Sequence, residues 1–67
     1  MTVSTKLQQT IAATEGVAAN LRQFALDTED QQAKEMFNQT ARYMDNTVVM
    51  LKSRLQYVQQ EEPQYRQ

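Results

Sequence analysis

Apolar residues return every seven positions along this chain, most strongly in its second half. The pairs Met36-Phe37, Tyr43-Met44, Met50-Leu51 and Tyr57-Val58 follow one another at that spacing, with Ala33, Thr40-Ala41, Thr47-Val48 and Arg54-Leu55 between them. Seven residues make two turns of a slightly underwound α-helix, so each pair comes back to the same side and meets a partner lying nearly parallel. A strand cannot hold this period, because its side chains alternate every second residue. The first half carries a thinner version. Val3, Thr10, Val17 and Phe24 form one column, Ser4, Ile11, Ala18 and Ala25 the next, and Leu7, Thr14, Leu21 and Thr28 a third. With one glycine and one proline in 67 residues, turn dipeptides are missing and helix is the only regular structure the pattern supports.

The repeat is interrupted at Leu26-Asp27-Thr28-Glu29-Asp30-Gln31. Thr28 followed by Gln31 fits a capping box, in which the hydroxyl accepts from a free backbone N–H and the glutamine reaches back. Glu29 and Asp30 then place negative charge on the first turn, where the helix dipole favours it. The resulting reading is a helix over about 4–26, a turn at 27–28, a second helix over about 29–60 and a frayed tail at 61–67, where Pro63 cannot continue a helix. One continuous helix is the rival, since no glycine or proline enforces a stop. A connection this short makes the helices antiparallel neighbours, and the predicted fold is an all-α hairpin forming one domain.

A hairpin of this size is near the limit at which one chain buries enough surface to fold alone. At about 1.5 Å per residue the second helix would be on the order of 48 Å long and the first roughly 35 Å, so the far end from Leu51 to Val58 is expected to project past its partner. Two adjacent apolar positions per heptad, with a third across the seam, also make a face wider than one neighbour can cover. The expected self-association surface comprises Leu7, Ile11, Val17, Leu21 and Phe24 on the first helix. On the second it comprises Met36, Phe37, Tyr43, Met44, Val48, Met50, Leu51, Leu55, Tyr57 and Val58. Pairing two hairpins into a homodimeric four-helix bundle would cover them.

Chemistry has little to work with. The chain has no cysteine and no histidine, which removes disulfides, the usual zinc ligands and the Glu-x-x-His pairs of di-iron bundles. Asp27, Glu29 and Asp30 are the one tight carboxylate cluster, but they lack the glycine and alternating ligands of a calcium loop and read as helix capping. Ser4 and Ser53 have no base to activate them. Thr10, Thr14, Thr40 and Thr47 are expected to bond their own helix carbonyls. No catalytic residue, metal or cofactor is predicted, and the chain is read as a non-enzyme.

Seven Lys and Arg against eight Asp and Glu give a net charge of −1, which offers phosphate backbones no long-range attraction. Arg22, Lys34, Arg42, Lys52, Arg54 and Arg66 are interspersed with Glu15, Glu35 and Asp45 as on an ordinary mixed surface. The longest apolar run, Val48 to Leu51, falls far short of the roughly 20 residues that cross a bilayer. The N-terminal residues do not read as a secretory signal, so a cytoplasmic location is expected and Asn38-Gln39-Thr40 matches a glycosylation acceptor by spelling only. Ala12, Gly16 and Ala19 form a small-residue face that would suit a close helix approach.

At Thr5 to Thr10, Phe24 to Lys34 and Glu61 to Tyr65, the chain resembles a family of short uncharacterised proteins of spore-forming Bacillales and Clostridia, classed as a domain of unknown function. Members stand alone or beside spore membrane-channel operons of the SpoVA type, and a similar domain is appended to an integral membrane protein of spores. The resemblance implies a role in sporulation, in the forespore or spore interior, and another spore protein as partner. It transfers no catalytic residue. It makes Glu62, Pro63, Gln64 and Tyr65 a candidate tail motif. Two further functions are compatible with the hairpin: a small dimeric nucleic-acid-binding regulator and an accessory subunit of a spore membrane protein.

Overall fold

A computed structural model describes residues 3–61. Two helices, α1 (Val3–Asp27) and α2 (Gln31–Glu61), pack against each other along their lengths as an antiparallel hairpin. The Cα atoms span 49 × 17 × 10 Å, a slab two helices wide and one helix thick.

Side-chain chemistry makes the turn in the absence of glycine or proline. Asp30 is the N-cap of α2: its carbonyl accepts from Lys34 N–H at 2.9 Å, and its carboxylate accepts from Gln32 N–H at 3.1 Å. Thr28 Oγ1 accepts from Asp30 N–H at 3.2 Å, folding the residues before the cap into a tight bend. The cap therefore falls two residues later than the Thr28/Gln31 box predicts, and 28–30 rather than 27–28 form the turn. Standing directly before the helix, the Asp30 carboxylate reaches the second helical N–H, that of Gln32, whereas Thr28 spends its hydroxyl oxygen on Asp30 N–H. At the other side of the bend, Lys34 Nζ donates at 2.8 Å to the carbonyl of Ala25 in the last turn of α1. A cation at the negative end of the α1 dipole is favourable, and here it arrives from the next helix. These contacts decide the hairpin against one continuous helix.

The expected overhang of α2 is corrected. Gln59 Nε2 donates to Ser4 Oγ at 3.4 Å, so residue 59 lies beside the first turn of α1. α2 is still six residues longer than α1, 31 against 25, but this contact sets Leu51 to Val58 alongside α1 rather than past its end.

Between the helices runs a narrow seam. On α1 the buried residues are Ser4, Ile11, Ala18 and Ala25, one column at heptad spacing. On α2 they are Ala41 and Val48, flanked in the same column by half-buried Lys34 and Leu55. Small side chains here let the backbones approach closely; Ala41 is 0% exposed. The next column on each helix is only half-buried: Leu7, Thr14, Leu21 and Thr28 on α1, and Phe37, Met44, Leu51 and Val58 on α2. No large side chain among the described residues is fully buried. The hairpin closes its seam and leaves its bulk outside.

Candidate functional site

The heptad frame settles which side chains share a surface. Columns around each helix stand about 51° apart when seven residues make two turns. Stepping from the buried column in one direction, α1 shows Gln8, Glu15 and Arg22, and α2 shows Asn38, Asp45, Lys52 and Gln59. Two ion pairs join these columns across the seam, Arg22 to Asp45 and Lys52 to Glu15, the latter at 3.3 Å. Both therefore lie on one broad face of the slab, which is ionic. All four side chains are about half exposed, so each pair is worth little to stability.

Stepping the other way reaches the opposite broad face, which is apolar. First come the half-buried Leu7 and Phe37 columns. On α1 the next column is Val3, Thr10, Val17 and Phe24; on α2, Ala33, Thr40, Thr47 and Arg54 are followed by Met36, Tyr43, Met50 and Tyr57. The rings of Phe24 and Phe37 meet at 5.5 Å, which ties the two helices together on this side. Yet Val17, Phe24, Met36, Tyr43 and Tyr57 are each about half exposed, and Met50 is 71% exposed.

The threonines on this side make it drier than their hydroxyls suggest. Thr10, Thr14, Thr40 and Thr47 donate to the carbonyls of Lys6, Thr10, Met36 and Tyr43 at 2.8 to 2.9 Å, as expected from the sequence. With its proton committed within the helix, each hydroxyl can be covered at lower desolvation cost and presents its methyl group. Arg54, the charged residue of the α2 flank, stacks over the ring of Tyr57 at 5.0 Å.

Of the fifteen residues expected to form the association surface, Ile11 and Val48 are buried in the chain's own seam, and Leu55 lies half-buried in the same column. The remaining twelve all belong to the columns of the apolar face. Gly16 and its neighbours Ala12 and Ala19 are exposed, and a Cβ built on Gly16 would meet nothing within 4 Å. Close approach within the hairpin is therefore not what the glycine serves. Glu62, Pro63, Gln64 and Tyr65, the candidate tail motif, lie outside the described residues, as do Arg66 and most of the expected tail.

Two open hollows among the described residues lie off the central columns of the apolar face. One, of 410 Å³, is lined by Gln39, Arg42, Tyr43, Asp45 and Asn46; the other, of 320 Å³, by Arg22, Ala25, Leu26, Lys34 and Asn38. Both are open and shallow. Among the described residues no three carboxylates are grouped to hold a metal. Asp30 is engaged as a cap and Asp27 accepts from Gln23 Nε2 at 3.1 Å. No helix among the described residues is long and apolar enough to cross a membrane.

Two helices joined by a three-residue turn, with heptad columns meeting along a seam of small residues, define an antiparallel coiled-coil hairpin. The chain belongs to the family described as "Protein of unknown function (DUF1657)", whose model matches residues 7–55. The match covers the seam, the turn and most of the apolar face, and stops short of the Glu62 to Tyr65 phrase. No curated protein and no solved structure matches the chain.

Proposed function

We propose that the hairpin is a non-enzymatic, self-associating interaction module: two copies cover each other's apolar faces and form a four-helix bundle. One observation carries this reading. Of the large apolar side chains that the hairpin leaves about half exposed or more, Val3, Val17, Phe24, Met36, Tyr43, Met50 and Tyr57 stand in register on one broad face, and Leu26 and Val49 alone lie toward the other. Each such side chain returned to an apolar contact contributes roughly 1.5–3 kcal/mol. Supporting it, the opposite face carries the ion pairs, so only one side of the slab is suited to burial.

A role in sporulation or the spore rests on the family resemblance, which also motivates a second spore protein as the bundle's eventual partner. The nucleic-acid alternative has less to support it than self-association. Among the described residues Arg22 and Lys52 are paired with carboxylates, Lys34 caps α1 and Arg54 lies on Tyr57, so four of the six described cations already have partners within the chain.

Light scattering after size exclusion, repeated over a range of concentrations with helical circular dichroism, tests the proposal. A strongly helical species of twice the chain mass is the expected result. A helical species of single-chain mass at every concentration would overturn it.

A further inference from the structure

The apolar face can be doubled in two ways, and its residues distinguish them. A two-fold axis along the hairpin stacks α1 of one copy on α2 of the other, with both turns at the same end. A two-fold axis across the hairpin stacks α1 on α1 and α2 on α2, each pair antiparallel, with the turns at opposite ends. Resting on the self-association reading above, we infer that the second arrangement is the one this face encodes, the occupant being a second copy of the chain.

Three features of the face lead there. The outer column of α2 alternates Met36, Tyr43, Met50, Tyr57. Laid antiparallel on itself, it sets Met36 against Tyr57 and Tyr43 against Met50, so every contact is a thioether on an aromatic ring. The outer column of α1 on the same face is Lys6, Ala13, Asn20, Asp27. Laid antiparallel on itself, it sets Lys6 against Asp27, twice per dimer, with the small and amide side chains between. The centres of symmetry then coincide. Lys6 and Asp27 are centred between residues 16 and 17, and the Met and Tyr column between 46 and 47. The hairpin's own cross-contacts, Ser4 with Gln59, Phe24 with Phe37, Glu15 with Lys52 and Arg22 with Asp45, place residues 16 and 17 opposite the stretch from about 45 to 50. One axis serves both helices.

The same-end arrangement fails the same comparison. It sets α1 on α2 level for level, which brings Asp27 against Met36 and Asn20 against Tyr43, and separates Lys6 from any carboxylate of its column. Asp27 would then be desolvated against a thioether with the Gln23 amide as its hydrogen-bond donor and no cation to balance its charge. The area is adequate for either: the slab is 49 × 17 Å across its Cα atoms, roughly the 800 Å² that each partner gives to an interface of ordinary size.

The absence of cysteine makes the test direct. The full chain carrying Glu29→Cys, a single site in the exposed turn, is spin-labelled and the distance between the two labels of the dimer is measured. Opposite-end packing predicts a separation near the 49 Å length of the hairpin. Same-end packing predicts one within about 25 Å, a few interaxial spacings, and would overturn the inference while leaving self-association intact. A monomer by light scattering would instead overturn self-association itself. As an independent measurement, Lys6→Asp and Asp27→Lys should each weaken the dimer, by roughly five- to thirty-fold for two pairs at about 0.5–1 kcal/mol each, and the double variant should recover most of the loss. Independent, additive losses in the double variant would count against the opposite-end axis.

Discussion

The two broad faces of this hairpin are built from the same helices, at the same heptad spacing, yet one is finished and the other is not. On the ionic face, Glu15 with Lys52 and Arg22 with Asp45 bridge the seam with side chains content in water. On the apolar face, Phe24 and Phe37 bridge it with rings, and Met36, Tyr43, Met50 and Tyr57 stand farther out, each about half exposed or more. The asymmetry continues inward. The column next to the ionic face holds the buried Ile11, Ala18, Ala25, Ala41 and Val48, whereas the column next to the apolar face is only half-buried. A slab one helix thick can seal just one of its two core columns with its own flanks. The other column is left half-buried, and under the proposed pairing a second layer would cover it.

That contrast is broken most directly by placing a charge on each face. Met50→Asp should abolish the oligomer and lower the melting temperature, since both copies lose roughly 1.5–3 kcal/mol of burial and acquire a desolvated carboxylate. Val49→Asp is its control: Val49 is 66% exposed but lies toward the ionic face, so its effect on mass and melting should stay within about 0.5 kcal/mol. Equal effects of the two would show that the faces are energetically alike. At the turn, Asp30→Ala removes the carboxylate that accepts from Gln32 N–H, and thermal unfolding should show a loss of about 1 kcal/mol. Gly16→Ala goes the other way. With open space around the site, it should stabilise the protein by close to 1 kcal/mol through helix propensity alone; a loss of stability would reveal something seated on Gly16 in the assembled protein. Smallest of all, Arg22→Gln breaks an exposed ion pair and should cost under about 1 kcal/mol at low salt and nearly nothing at high salt.

Much of this geometry was legible in the chain. The period of seven gave helices that run side by side, and the break near Asp27 gave the hairpin. The threonine hydroxyls could be assigned to their own helices because the carbonyl four residues back is within reach of any helical threonine. The cap was misplaced by two residues, since Thr28 and Asp30 both have N-cap chemistry and only the path of the backbone selects between them. The role of Lys34 could not be read at all: its partner, the carbonyl of Ala25, is nine residues away and becomes a neighbour only once the turn exists. The projected end of α2 failed for a related reason, because lengths estimated helix by helix say nothing of the register that joins Ser4 to Gln59.

Sequence by itself determined that this protein is helical, that its helices pack along a heptad seam and that it carries more apolar side chain than two helices can hide. Those properties follow from the period of the side chains, which is a property of one helix at a time. Which column turns inward was decided only by the tertiary structure. The columns of Val3, Ser4 and Leu7 share one period, and by size alone Val17 and Phe24 would claim the core over Ala18 and Ala25. Packing reverses that order: two backbones approach most closely over the smallest side chains, and the larger ones are displaced to the flank. The same displacement gathers Phe24, Met36, Tyr43, Met50 and Tyr57 onto one face, the face on which the proposed pairing is built.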